Sequence, residues 1–304
     1  MNNLLDFFLT VAENRTFKWN KIKTDSWLLH SVNSKFINII ITDNCNLSCN
    51  GCRGDIKDIK DYESPVMEYE KFVSLVNSCV DSGIEFFDLT PVIGETLLIK
   101  DIHKYLDYLE SHESVVGYLI TTNGTIDKIP RNHKKLHISL SLYGSNITNF
   151  KKFTNSNLFE KTKETIRSLL QCDVPIEITL RNKEFIIDMD KDIKNYIYTL
   201  LTKANVSAYD GRVNDNRGGA VNTEVSGSYI RKGLCPCGTG SGGAIRNDGK
   251  YYYCAFNDLN RKSIIGELSE GISQLRKNKT WVDIINDQKK DTYKGVCESC
   301  TAIW

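Results

Sequence analysis

The chain has 304 residues, enough for a full hydrophobic core, and its 39 Lys and Arg nearly cancel its 38 Asp and Glu, for a formal net charge of +1. That balance argues against a nucleic-acid or anionic-membrane partner. The start, Met1-Asn-Asn-Leu-Leu-Asp-Phe-Phe, lacks a basic n-region and is broken by Asp6, and no apolar run reaches membrane-spanning length, so neither a signal peptide nor a membrane anchor is expected.

From residue 36 the pattern alternates strand and helix. A first strand is expected over 37–42, where Ile39, Ile40 and Ile41 form the continuous run of a strand covered on both faces. Residues 67–80 read as a helix, with Phe72, Val73, Val76, Cys79 and Val80 on one face and Ser82-Gly83 as its stop. Then follow a strand at 84–89, a helix at 101–109, a strand at 115–121 stopped by Asn123-Gly124, and a strand at 136–142 stopped by Tyr143-Gly144-Ser145. A helix at 158–170, a strand at 176–180, a helix at 192–203 and a strand at 206–209 complete the series. Repeated strand–helix units imply right-handed crossovers and a parallel sheet. The expected fold is α/β: a partial (β/α)6 barrel of TIM type over residues 36–210, behind an N-terminal cover segment of residues 1–35. After residue 210 Gly and Asn become frequent, and residues 211–304 read as a smaller β-hairpin and helix module, with a hairpin turn at Asp248-Gly249 and a helix near 272–285.

Cysteines carry the chemistry. Cys45, Cys49 and Cys52 follow the first strand in C-x3-C-x2-C spacing, interleaved by Asn44, Asn46, Ser48 and Asn50, which do not belong in a core strand. Three thiolates can hold three irons of a [4Fe–4S] cube and leave the fourth open; three thiols of a zinc site are the other reading. Ten cysteines without a secretory signal point to a reducing cytoplasm, where clustered thiols favour metal over disulfides. Cys79 and Cys172 are single and read as small buried hydrophobes, and the five histidines show no ligand spacing.

The motif and its place after the first strand resemble the radical S-adenosylmethionine (SAM) superfamily. The resemblance implies that the open iron chelates the amino and carboxylate groups of SAM, and that the reduced cluster cleaves SAM to methionine and a 5′-deoxyadenosyl radical that abstracts hydrogen from substrate. Gly51 stands where the family usually has an aromatic residue. Gly94-Glu95 resembles the family's Gly-Gly-Glu-Pro stretch, which receives the SAM ammonium, with Ile93 and Thr96 in place of the first glycine and the proline. Ser141 matches a serine that binds the SAM ribose, Tyr143 replaces the usual Asp beside it, Arg181 would pair with the SAM carboxylate, and Asn123 would touch SAM or substrate.

Cys235-Pro-Cys237, Cys254 and the final Cys297-x2-Cys300 resemble the twitch or SPASM extension of these enzymes, which holds an auxiliary [4Fe–4S] cluster. Cys237, Cys254, Cys297 and Cys300 are the expected ligands, with Cys235 a spare ligand or a redox thiol, and a structural zinc site the competing reading. The chain stops four residues after Cys300, which fits the shorter twitch form. The expected activity is radical modification of a ribosomally made peptide. The alternatives are a small-molecule dehydrogenase or cyclase acting on a sugar or nucleotide, and a non-catalytic iron–sulfur or zinc protein. Flavodoxin or ferredoxin would supply electrons. No residue stands out as catalytic acid, base or hydrogen donor.

Overall fold

Successive side chains of a β-strand point to opposite faces, and in this protein the two faces are chemically different. The computed structural model describes residues 4–15, 34–50, 52, 66–91, 93–181, 188–210, 233–235, 242–254 and 261–298. Helix α1 (Leu4–Asn14) comes first. Six strands follow: β1 (Phe36–Ile39), β2 (Phe86–Asp88), β3 (Gly117–Thr122), β4 (Leu136–Leu142), β5 (Ile176–Leu180) and β6 (Val206–Asp210). They lie side by side in chain order and all pair in parallel. Between them run α2 (Tyr69–Asp81), α3 (Ile102–Ser111), α4 (Ile147–Thr154), α5 (Phe159–Leu169) and α6 (Lys191–Thr202). This is the expected α/β architecture, with a parallel sheet whose edge strand β6 does not pair with β1.

The C-terminal region joins the same sheet. β7 (Ala244–Ile245) pairs in parallel with β1, and β8 (Lys250–Tyr252) and β9 (Ile264–Glu267) follow antiparallel. The Asp248-Gly249 turn closes the hairpin, with Gly249 N–H donating to Arg246 O at 2.7 Å. Beyond β1 the backbone stays paired, Ile40 N–H donating to Ile245 O at 2.8 Å.

The single helix expected near 272–285 is two, α7 (Ile272–Leu275) and α8 (Lys279–Lys289). The break has a cause on each side. Asn278 caps α8, its side chain accepting Thr280 N–H at 2.8 Å. Arg276, the buried C-cap residue of α7, donates to the carbonyls of Ser34 (2.7 Å), Phe36 (3.2 Å) and Gly242 (3.1 Å), clamping the hairpin to the start of β1. Helix α4 is absent from the sequence expectation because it is short and rich in Asn and Lys. Asn146 starts it by accepting Asn149 N–H at 2.8 Å, and Asn155, in the left-handed conformation, ends it.

One face of the sheet is apolar. Ile37, Ile39, Phe87, Ile120, Ile138, Leu140 and Ile178 pack with Phe72, Leu106, Ile166 and Ile197 of the helices in one core. On the opposite face Phe36, Phe86 and Leu119 form a small separate apolar cluster. The remaining buried residues of that face include Asn38, Asp88, His137, Ser139, Ser141, Glu177, Thr179 and Ser207. Polar side chains buried on the helix-free face fit a sheet that curls around them as a partial barrel does. Among the described residues no helix is long and apolar enough to cross a membrane.

Candidate radical SAM site

The cysteine loop leaves the C-terminal end of β1 and docks on the end of α4. The last carbonyls of a helix have no partner within it and must find one outside. Here Thr154 O accepts Ser48 N–H at 3.2 Å, Phe153 O accepts Asn50 N–H at 2.8 Å, and Lys152 O accepts Asn50 Nδ2 at 2.9 Å. Asn155 returns the contact, donating from Nδ2 to Ser48 O (2.7 Å) and Asn50 Oδ1 (3.0 Å). The asparagines between the cysteines are therefore the loop's attachment points. Helix α4 passes close behind β4, and only glycine fits there: a Cβ on Gly144 would lie 2.4 Å from Phe150 N.

Cys49 is buried, and Cys45 and Cys52 are half-buried. Burial pushes the Cys45 thiol up to about 11, and Glu95 and Cys52 nearby push the same way. Cys49 rises further, by burial and then by its two sister cysteines. Thiols that raise one another in this way share one region of the loop. Cys45 Sγ also receives two donors, Leu47 N–H at 3.5 Å and Asn123 Nδ2 at 3.8 Å. Soft sulfur donors with N–H groups aimed at one of them suit an iron–sulfur cluster. Among the described residues no three His, Cys, Asp or Glu side chains gather closely enough to hold a single metal ion.

Gly94 and Glu95 sit directly against this loop. Gly94 has φ +153°, and a Cβ there would lie 3.0 Å from Thr42 O and 3.2 Å from Asn44 O. Glu95 N–H donates to Asn44 O at 2.8 Å. The Glu95 carboxylate is buried and turned inward: Oε1 accepts Leu97 N–H at 3.1 Å and Oε2 accepts Asn123 N–H at 2.7 Å. Burial raises its pKa to about 7 against these amides, which pull it down. Asn123 is the junction of the site. Its Nδ2 also donates to Asn46 Oδ1 at 3.1 Å, and its Oδ1 accepts Thr125 N–H at 2.9 Å.

Ser141 and Arg181 end β4 and β5 on the polar face and touch, Arg181 Nε donating to Ser141 Oγ at 3.5 Å. Tyr143 stacks on Phe153 (5.5 Å between centroids), and burial raises its pKa, with Cys49 and Cys52 adding to the effect. Gly94, Glu95, Asn123 and Arg181 thus follow strand ends on the side of the cysteine loop, and Ser141 is the penultimate residue of β4. Cys254 and Cys297 are buried in the C-terminal region. Cys237 and Cys300 lie outside the described residues.

Several polar residues near the site escaped the sequence expectation. Asp43, two residues before Cys45, is buried between two guanidiniums, Arg246 at 3.6 Å and Arg261 at 3.2 Å, both from the hairpin region. On the polar face Ser139 Oγ and Thr179 Oγ1 both donate to Glu177 Oε1 at 3.4 Å, and Asn38 Nδ2 donates to Asp88 O and Thr90 O, each at 3.0 Å. Their signal was the period-two alternation in Ile37-Asn-Ile39, His137-Ile-Ser-Leu-Ser141 and Glu177-Ile-Thr179. Tyr251 to Tyr253 are buried packing residues, Tyr251 lying 5.3 Å from Trp281 by ring centroids.

No family model matches the chain. It is similar to GTP 3′,8-cyclase of Syntrophomonas wolfei subsp. wolfei, with 27% identity over 158 residues, which is 50% of this chain and 47% of that protein. It is likewise similar to GTP 3′,8-cyclase of Campylobacter fetus subsp. fetus, with 29% identity over 90 residues, 29% of this chain and 27% of that protein. The chain spans about half or less of the length of the curated relatives it matches. Among solved structures, BtrN in complex with AdoMet and 2-DOIA superposes with a TM-score of 0.56 at 18% identity, over 88% of this chain and 92% of that one. anSMEcpe with bound AdoMet superposes with a TM-score of 0.54 at 16% identity, over 83% of each chain. SuiB of Streptococcus suis bound to S-adenosylmethionine gives 0.52 at 12% identity, over 86% of this chain and 76% of that one. The solved structures share the fold, the cyclases share sequence, and the three-cysteine loop stands at the end of the first strand. The chain is thus similar to radical SAM enzymes in sequence and in fold.

Proposed function

We propose that this protein reductively cleaves SAM and uses the 5′-deoxyadenosyl radical to take a hydrogen atom from its substrate. The observation that carries this reading is the docked three-thiol loop with Gly94, Glu95 and Asn123 packed against it. When bound at Cys45, Cys49 and Cys52, a [4Fe–4S] cluster supplies an open iron for SAM and the electron that cleaves it. The chain's own residues hold that arrangement. Asn123 and Leu47 direct N–H groups at Cys45. Glu95 fixes the loops with its carboxylate, which leaves backbone carbonyls beside Gly94 to meet the SAM ammonium. Arg181 offers a guanidinium to the SAM carboxylate, and Ser141 beside it a hydroxyl to the ribose. Flavodoxin or ferredoxin is the proposed electron donor, in the cytoplasm.

Residues 211–304 are proposed to carry an auxiliary [4Fe–4S] cluster of the twitch type. Cys254, Cys297 and Cys300 hold it, with a fourth thiolate from the Cys235-Pro-Cys237 pair. Two substrate classes follow from the similarities. Peptide modification is supported by anSMEcpe, which has been solved with bound AdoMet and a peptide. A small polar molecule is supported by a feature of this chain itself. Beyond the small Phe36, Phe86 and Leu119 cluster, the helix-free face buries carboxylates, hydroxyls and amides, and Asn38 Oδ1 and Ser207 Oγ on that face are buried without a hydrogen-bond partner. Such a lining suits a ligand rich in hydroxyls or amines, and we favour that class.

The test is anaerobic reconstitution followed by dithionite and SAM. The wild-type chain is expected to release 5′-deoxyadenosine, and Cys45→Ala, Cys49→Ala or Cys52→Ala to release none. A triple variant that still cleaves SAM would overturn the reading. Adding separated small-molecule and peptide fractions of a host extract reads the substrate class: stimulation by the small-molecule fraction is expected, and stimulation by the peptide fraction alone favours peptide modification.

A further inference from the structure

We infer that Cys235, rather than Cys237, is the hairpin-side ligand of the C-terminal cluster, and that Gln288 is the positioning residue that couples it to Cys297. This rests on the auxiliary-cluster reading above.

Helix α8 turns Trp281, Ile285 and Gln288 inward, one stripe at helical spacing. Two of the three are apolar. The third is a primary amide, essentially without exposure, in a slot where a leucine would be the simpler choice. A buried amide is costly unless both ends are bonded. Here both are. Oε1 accepts Cys235 N–H at 3.1 Å, and Nε2 donates to Cys297 Sγ at 3.5 Å. An N–H donor adds little to a neutral thiol, a weak acceptor, and far more to a thiolate, where the bond is charge-assisted. The donor is therefore well placed for a Cys297 that carries charge, as a cluster ligand does.

The other end of the amide fixes Cys235. Its segment is held three times in three residues. Gly233 N–H donates to Asp291 Oδ1 at 2.8 Å, Gly233 O accepts Tyr293 OH at 3.0 Å, and Cys235 N–H meets Gln288. All three partners lie in the stretch that leads into Cys297. Next to Cys254, whose N–H donates to Ser263 Oγ at 3.4 Å, Tyr253 reaches the same stretch, its hydroxyl 3.0 Å from where a Cβ on Gly295 would be. Cys235, Cys254 and Cys297 are all buried. A helix residue that bonds the backbone of one cysteine and the sulfur of another sets the spacing of two ligands at once.

The experiment uses the full chain with Cys45, Cys49 and Cys52 changed to Ala, so that iron reports the C-terminal cluster alone. After anaerobic reconstitution this parent is expected to hold about four irons and four sulfides. Adding Cys235→Ser should strip the cluster or convert it to a three-iron species seen by electron paramagnetic resonance, while adding Cys237→Ser should leave about four irons. Loss with Cys237→Ser and retention with Cys235→Ser overturns the assignment. A folded parent that binds no iron at all overturns the auxiliary-cluster reading instead.

Thiol alkylation mapped by mass spectrometry on the wild-type protein avoids any folding defect. Cys235 should be shielded in the loaded protein and labelled after chelation, and a change confined to Cys237 counts against the proposal. For Gln288, Gln288→Leu and Gln288→Glu should lower the midpoint potential of the C-terminal cluster, because each removes the N–H donor that favours the more negative reduced state. Gln288→Glu keeps an acceptor for Cys235 N–H, so iron content should survive. An unchanged potential in both variants would show that Gln288 only fills space.

Discussion

Glu95 and Asn123 meet through one hydrogen bond, from Asn123 N–H to Glu95 Oε2 at 2.7 Å, and it joins the loops that follow β2 and β3. The same two residues reach the cysteine loop, Glu95 through its own N–H to Asn44 O and Asn123 through its side chain to Cys45 and Asn46. The carboxylate is thus an internal brace, satisfied by backbone amides, beside the place where a cluster would sit.

Its raised pKa gives a pH dependence. Burial lifts Glu95 from 4.5 to about 7, so between those values the folded metal-free protein holds a proton that the unfolded chain has released. Stability contributed by this group is full below about 4.5 and falls as pH rises through about 7. Glu95→Gln has no such titration. The stability difference between wild type and variant, from urea unfolding of the metal-free protein, should shift against the wild type by up to roughly 3 kcal/mol over that window. A difference flat with pH would show that Glu95 keeps an ordinary carboxyl pKa in the fold.

Much of the barrel could be read from the sequence because its signals are local. The strands at 136–142 and 176–180 coincide with β4 and β5, and the other strands and long helices of the barrel differ by one to three residues at their ends. The cysteine loop and the strand-end positions of Glu95, Asn123, Ser141 and Arg181 were legible for the same reason. What escaped depends on partners distant in sequence. Nothing near Asp43 announces that Arg246 and Arg261 will enclose it. Nothing in α8 marks Gln288 as more than a polar residue on an amphipathic helix. Helix α4 has weak helical composition, and it is held where the asparagines of a loop some 100 residues earlier satisfy its carbonyls, Asn50 and Lys152 being 102 apart.

Gly144 tests whether α4 sets the position of the cysteine loop. A methyl group there meets Phe150 N at 2.4 Å and Phe150 Cα at 2.5 Å, both backbone atoms that cannot turn aside. Gly144→Ala must push the helix, and with it the carbonyls that hold Ser48 and Asn50. A loss of roughly 1–3 kcal/mol in stability is expected, as for overpacking elsewhere, with reduced iron retention at the first site. Thermal unfolding and iron analysis in a variant lacking the C-terminal cysteines would measure both. Full stability and full iron would mean that the loop does not depend on α4.

Asp43 links the hairpin to the cysteine loop through charge. It and Arg246 are each about 2% exposed as side chains, and Arg261 reaches both Asp43 and Asp248. Removing the shared carboxylate takes a buried charge partner from Arg246 and Arg261, and breaking buried pairs costs about 3–5 kcal/mol where it has been measured. Asp43→Asn should therefore destabilise the protein far more than the exposed Asp101→Asn, whose partner Lys104 lies at the surface. Denaturant unfolding of both variants decides it, and equal losses would count against a buried pair.

The last prediction separates the two cysteine sets by role. In the proposed reaction, SAM cleavage would require Cys45, Cys49 and Cys52 with the contacts around Gly94 and Glu95. The proposed C-terminal cluster is expected to act later, on substrate or on the radical formed from it. Cys297→Ala should therefore leave 5′-deoxyadenosine formation measurable while product formation collapses. The variant has a structural hazard. Cys297 is buried and accepts a hydrogen bond from Gln288, and a small region that depends on a metal can unfold when one ligand is lost. Circular dichroism and the unfolding midpoint must first match the wild type. Cys300→Ala serves as a second variant for the same step. With fold retained, the two rates should part company: deoxyadenosine within a few-fold of wild type, product lower by about two orders of magnitude, which corresponds to roughly 3 kcal/mol in the barrier of the later step. A folded variant that lacks the second cluster yet makes product at the wild-type rate would remove that cluster from the reaction.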